Sequence, residues 1–231
     1  MPFIATAAWS IPRTVARRFP EAGTGLERYA AVFDGVEVNS TFYRHHQVKT
    51  FERWAASVPE HFRFAVKIPR EITHTERLRG IDGLFDAFLN EIRSLKDKLG
   101  PLLCQLPPSL EFDATMADEA FAAMRCNHAG MIVVEPRHNS WASEPAESLL
   151  QRHAIERVLA DPAPVWPETS FDKPPKYVRL HGSPKIYYSS YSKAGIERFG
   201  KRLADDSWCI FDNTASGAAI ENALTMRDQL I

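Results

Sequence analysis

The sequence predicts a (β/α)8 barrel, and three observations carry that expectation. Apolar, β-branched runs alternate with amphipathic stretches along the 231 residues, as parallel strands joined by helical crossovers require. About eight such units follow one another, which suits closure into a barrel. Several apolar runs end in alternating polar residues, which gathers charge at one end of the sheet. No charge run or low-complexity linker divides the chain, so residues 1–231 read as one domain. An open doubly wound sheet is the alternative, but it calls for a glycine-rich first turn, and Ala7-Ala8-Trp9-Ser10-Ile11-Pro12 has no glycine.

The elements read in order as follows. Phe3 to Ser10 is a first strand, and Leu26 to Phe33 a helix with apolar residues three and four apart, closed by Gly35. The Val36 run is the second strand, Thr50 to Ser57 a short helix, and Phe62 to Ile68 the third strand. Leu84 to Leu95 is amphipathic, with Leu84, Phe85, Phe88, Leu89, Ile92 and Leu95 on one face. Leu102 to Leu106 is a strand stopped by Pro107-Pro108. Thr115 to Met124, Met131 to Glu135, Glu147 to Arg152 and Arg157 to Asp161 continue the alternation. Pro162 to Pro175 holds five prolines and reads as an irregular loop. Tyr177 to His181, Ala194 to Leu203, Trp208 to Asp212 and Ala218 to Leu230 complete it.

Composition narrows the function. The chain is 45% hydrophobic and 25% charged with net charge −1, so no global field favours nucleic acid or an anionic membrane. Cys104, Cys126 and Cys209 lack metal-type spacing and suit a reducing compartment. Met1 to Trp9 has no basic leader, and no run is long enough to span a bilayer. A cytoplasmic location is the expectation.

Alternation nominates the chemistry. Glu37 and Asn39 share one side of the second strand, while Val36 and Val38 take the other. Lys67 and Gln105 end the third and fourth strands, Glu135 and Arg137 share a side on the fifth, and Asp161 ends the sixth. Arg179 and His181 share a side on the seventh, and Asp212 ends the eighth. A core would not choose this set, because unpaired buried charges cost several kcal/mol each. Pairing among the charges is the bland reading, since four carboxylates face Lys67, Arg137 and Arg179. Acid–base chemistry is the first functional reading, with His181 foremost because imidazole titrates near neutrality. Anion binding is the second: Arg137 and Arg179 as clamps, Lys67 as a point charge, Asn39 and Tyr43 as hydrogen-bonding groups. A divalent metal is the third and is not favoured; carboxylates and His181 are suitable ligand types, but no H-E-x-x-H or comparable signature is present.

The chain resembles the domain of unknown function 72 (DUF72, YecE-like) family. The resemblance rests on Val36 to Tyr43, on Phe64 to Lys67 with Ile72-Thr73-His74, and on Leu99 to Pro108. It continues through Glu135-Pro136-Arg137-His138-Asn139-Ser140-Trp141, Tyr177 to Gly182, Tyr188 to Ser192 and Phe211-Asp212-Asn213-Thr214. It implies a TIM barrel and a shared polar set including Glu37, Asn39, Lys67, Glu135, Arg137, His138, Arg179, His181 and Asp212, and it assigns them no catalytic roles. One departure stands out. Ala5-Thr6-Ala7-Ala8-Trp9 replaces a Gly-Thr-Ser-Gly-Trp-like strand end, and alanine restricts the backbone where glycine would not.

The reading that fits best is an enzyme, of hydrolase or isomerase type, acting on a small anionic or polyhydroxylated molecule at the carboxyl ends of the strands. His181 and Glu135 are its proton-transfer candidates, and Glu37 is a further acid–base or positioning group. Arg137, Arg179 and Lys67 orient negative charge. Asn39, Tyr43, His138, Trp141, Gln105, Asp212 and Asn213 complete the expected binding set. Two alternatives are a metal-dependent phosphodiesterase or binder of nucleic acid, and a non-catalytic metabolite-binding protein.

Overall fold

The computed structural model describes residues 1–230. Eight parallel strands form one sheet: β1 (Phe3–Thr6), β2 (Gly35–Val38), β3 (Arg63–Lys67), β4 (Leu99–Gln105), β5 (Ile132–Glu135), β6 (Glu156–Asp161), β7 (Tyr177–Leu180) and β8 (Trp208–Phe211). Their order, β1-β8-β7-β6-β5-β4-β3-β2, runs around a TIM barrel. The circle closes between β1 and β2 at one point: Ala7 bridges Glu37, and the Ala8 N–H donates to the Glu37 carbonyl at 2.9 Å. The outer layer is α1 (Gly25–Ala30), α2 (Val48–Ala56), α3 (Asp82–Ile92), α4 (Ala114–Asn127), α5 (Glu144–Arg152), α6 (Lys193–Gly200) and α7 (Ala218–Leu230).

Local chemistry explains the element ends. Thr24 and Glu27 form a reciprocal capping box that starts α1, and Asp113 and Ser192 cap α4 and α6. The helix expected over Leu84 to Leu95 breaks at Ile92 and continues as a tighter turn over Arg93–Lys98, with Lys96 at φ 52°. Its buried face holds Phe85, Phe88, Leu89 and Ile92, about 1.5–3 kcal/mol of apolar transfer each. The unit after β6 has no α-helix; only a short turn at Glu168–Ser170 interrupts the proline-rich loop, because proline lacks the N–H a helix needs. No helix of the described residues is long and apolar enough to cross a membrane.

The barrel floor is aromatic. The Trp208 indole stacks on Phe3 at 4.5 Å between ring centroids and on Tyr177 at 6.3 Å. Gly35 and Gly100 face it so closely that a Cβ at either would lie 2.9 Å from the indole. These glycines are required by close approach, and the floor they form closes the barrel below the polar layer.

Ala8 carries the backbone conformation that the glycine of the related motif would adopt freely. Its φ is +73°, held by its N–H bond to Glu37 and by the Thr6 hydroxyl, which donates to the Ala8 carbonyl at 2.6 Å. Left-handed backbone costs a non-glycine residue about 1–2 kcal/mol, and glycine returns part of that through unfolded-chain entropy. Ala8→Gly is therefore expected to raise stability by roughly 0.5–1 kcal/mol in urea unfolding; a loss would show that the strain at this closure point is misassigned.

Candidate functional site

The polar ends of the strands meet above the aromatic floor around Arg179. This guanidinium is 1% exposed and is bound on every side. Its Nε and Nη2 donate to the two oxygens of Glu37 at 3.0 and 2.8 Å. Nη1 donates to Glu135 Oε2 at 2.7 Å, and Nη2 also reaches Asp212 Oδ2 at 3.0 Å. The Tyr177 hydroxyl completes Glu37 at 2.8 Å. Burial alone would lower the Arg179 pKa; the Glu37, Asp212 and Glu135 carboxylates hold it well above its ordinary value.

His181 sits beside it, fully enclosed. Nδ1 lies 2.9 Å from Asp212 Oδ2 and Nε2 lies 2.8 Å from Glu135 Oε1. Ionised carboxylates only accept hydrogen bonds, so both ring nitrogens are donors and the ring is an imidazolium. Burial opposes that charge, but Glu135 and the bond to Asp212 prevail and raise the pKa. Arg137 Nη2 reaches the same Glu135 Oε1 at 2.5 Å and lies 3.1 Å from His181 Nε2. The donors around Glu135 hold its carboxyl well below the usual range despite burial, and Asp212 is lowered in the same way by Arg179 and His181. The Arg179 guanidinium fills the space among Glu37, Glu135 and Asp212, so these carboxylates converge on an organic cation, and no metal-type cluster of three ligands occurs among the described residues.

Above this network two cations keep unused capacity. Arg137 is 16% exposed and its Nε has no partner. Lys67 is 9% exposed, with Nζ 4.2 Å from the Phe42 ring centroid and no carboxylate within 4.0 Å among the described residues. Burial, then the Arg179 charge, pushes its pKa down to about 8 against the pull of the carboxylates. His74 packs edge-on to the same Phe42 ring at 5.0 Å, and burial with the nearby Lys67 and Arg70 charges lowers it to about 4. Tyr187, at φ +69°, packs edge-on to His181 at 5.8 Å.

Several residues nominated from the sequence stand outside the Arg179 hydrogen-bond network. β2 ends at Val38, so alternation does not extend to Asn39, which turns helical at φ −89°, ψ −15° and buries an unpartnered Oδ1. Tyr43 is 79% exposed on the following turn. Trp141 belongs to the outer core: fully buried, it donates its indole N–H to the Leu110 carbonyl at 3.0 Å. His138 caps its own turn through Ser140. The Gln105 amide donates to the Leu106 carbonyl, and the Asn213 amide ties Ser189 to Asn222. Asp161 accepts from the Tyr191 hydroxyl at 2.7 Å, apart from the Arg179 network. Tyr177 and His74 were missed; Tyr177 shares the parity of Arg179, whereas His74 comes from an irregular turn, Glu71–Thr75, that alternation does not describe.

Fold and mouth together define a TIM-barrel protein whose strand ends carry a buried arginine–carboxylate–histidine network. The chain belongs to the family described as protein of unknown function DUF72, whose family model matches residues 3–231. It is similar to the UPF0759 protein YecE of Escherichia coli K12, 29% identical over 179 aligned positions, covering 71% of this chain and 61% of that protein. The alignment therefore spans about three fifths of the length of that relative. The UPF0759 protein YunF of Bacillus subtilis 168 is 25% identical over 244 aligned positions, covering 89% of this chain and 86% of that protein. Among solved structures, a DUF72 family protein from Thermotoga maritima superposes with a TM-score of 0.80 at 26% identity, covering 100% of this chain and 99% of that one.

Two outcomes follow from the network. Arg179→Met removes the cationic partner of buried Glu37 and one of the partners of Glu135 and of Asp212, and is expected to cost about 3–5 kcal/mol in urea unfolding; a cost below about 1 kcal/mol would contradict the central role of this side chain. His181 has a folded pKa above its unfolded value, so its contribution is complete below the ordinary histidine pKa and is lost as pH rises through the folded one. Wild-type stability should therefore decline on that alkaline side, and His181→Gln should flatten the decline in unfolding midpoints measured across the range.

Proposed function

We propose that the barrel mouth is an enzyme site for a small anionic or polyhydroxylated molecule, with Arg137 and Lys67 receiving its negative charge. One observation carries this reading: the carboxylates beneath are already bound, while these two cations are not fully used. Glu37, Glu135 and Asp212 supply three negative charges; Arg179, Arg137 and protonated His181 balance them, and Lys67 is left over as a positive surplus. A partly enclosed mouth with surplus positive charge attracts anions, and its low dielectric strengthens each contact. His181 is the proton reserve. Glu135 and Asp212 orient it, and Asp212, 11% exposed and with Oδ1 unused, links it to the mouth. This is acid–base chemistry of the kind that hydrolases and isomerases perform.

Nucleic-acid processing remains a second reading of an anion site, but the observation above favours a small ligand. The cations that carry it lie inside the barrel mouth, 9% and 16% exposed, rather than along an open groove.

Inorganic phosphate is the simplest probe. Lys67→Met and Arg137→Gln should each weaken its binding roughly tenfold or more in calorimetry, the loss of one charge-assisted bond of about 1.5–3 kcal/mol. Lys67→Met should also stabilise the fold at neutral pH by about 1–3 kcal/mol, because it removes a desolvated ammonium. The folded Lys67 pKa lies near 8, below the ordinary 10.5, so that gain should shrink as pH rises from the lower value to the higher. Unchanged phosphate affinity in both variants would refute the anion site.

A further inference from the structure

Lys67 differs from every other charge in the mouth. Arg179, Arg137 and His181 all bind carboxylates, whereas the Lys67 ammonium has no acidic partner within 4.0 Å among the described residues. Its backbone is fixed: Lys67 ends β3, flanked by β2 and β4, and the Thr41 hydroxyl donates to its carbonyl at 2.6 Å. Its nitrogen lies over the Phe42 ring, which His74 also packs against. A lysine kept for structure would be ion-paired at this burial, since a desolvated, unpaired ammonium costs stability.

We infer that Lys67 is a nucleophile that forms an imine with an aldehyde or ketone bearing a phosphate or carboxylate group. The inference rests on the anion-site reading for the charged end of the substrate and adds a covalent step at the carbonyl end. The neutral Nζ adds to the carbonyl carbon. A C–N bond forms, the carbonyl π pair moves to oxygen, and the oxygen takes a proton while nitrogen loses one, giving a carbinolamine. Departure of that hydroxyl as water, with one proton from the medium, leaves a protonated C=N bond. Amine and carbonyl are thus consumed and one water released, with no oxidant or reductant. Arg137 remains to hold the anionic group. His74 stands against the same ring and is neutral near pH 7, so it adds no charge beside the amine, and the proton that nitrogen sheds passes to the medium.

Two influences on Lys67 oppose each other. The Phe42 face favours the ammonium by about 0.5–2 kcal/mol. Burial and the Arg179 charge favour the amine and bring the pKa to about 8. At that value roughly a tenth of the side chain is amine at pH 7, a few-hundred-fold more than for an ordinary lysine. Desolvated lysines of this kind are the ones that serve as Schiff-base nucleophiles.

Reductive trapping tests the assignment. Wild-type protein is incubated at neutral pH with pyridoxal 5′-phosphate, an aldehyde carrying a phosphate, then reduced with borohydride and mapped by peptide mass. Lys67 should be labelled at least roughly tenfold faster than any other lysine, with saturation, and inorganic phosphate should protect it. Propanal, which lacks the anion, should label it more slowly and without phosphate protection. Labelling spread over surface lysines with Lys67 unmodified, while calorimetry still shows phosphate bound, overturns the imine and leaves the anion site standing. Preferred labelling of Lys67 by both aldehydes at equal rates, with no effect of phosphate, keeps the nucleophile and overturns the anionic substrate.

Discussion

The Arg179 guanidinium, enclosed on the barrel axis, is the constraint on which the rest depends. An arginine with 1% exposure must find acceptors for its donors, and four strands supply them or their support. Glu37 comes from β2 and Glu135 from β5, Asp212 follows β8, and Tyr177 on β7 ties Glu37 in place. Removing these charges from water costs several kcal/mol per ion, and only near-complete hydrogen bonding offsets it. The network therefore fixes orientation more than it adds stability. The Trp208 floor beneath, fitted against Gly35 and Gly100, packs the barrel below this layer.

That completeness determines what is left for function. A network short of one cation would draw Lys67 down to a carboxylate. Here Arg137 and His181 share the Glu135 oxygen, and Lys67 stays over Phe42 with its pKa lowered by burial and by Arg179. The structure thus divides one set of charges into an inner group that holds geometry and an outer pair, Lys67 and Arg137, that keeps donor capacity to spare. A charge held in a destabilising position is the kind of cost that sites bear for function.

Much of this was legible in the sequence, for a physical reason. Strand side chains alternate strictly, so Glu37, Lys67, Glu135, Arg179 and His181 could be placed on one side of the sheet, and these side chains do gather there. Tyr177 is legible by the same parity, since it stands two residues before Arg179 on β7. The rule stops where the strand does: Asn39 has already turned helical, and Trp141 lies on a turn that returns to the core. Partner choice was not legible either. Parity gives the side of a sheet and not the pairing across a barrel, so Arg179 read as an anion clamp although its donors are spent on protein carboxylates. His74 was hidden by the irregular turn that carries it, and the missing helix after β6 was foretold only by its prolines.

The inner network has spent its donors, whereas Lys67 Nζ and Arg137 Nε have not. Nitrogen-detected NMR of the arginine and lysine side chains during titration with inorganic phosphate reads that division directly. The Lys67 Nζ and Arg137 Nε resonances should move with phosphate, while the Arg179 Nε–H stays in place and exchanges slowly with solvent. Movement of Arg179, or stationary Lys67 and Arg137 signals at saturating phosphate, would contradict it.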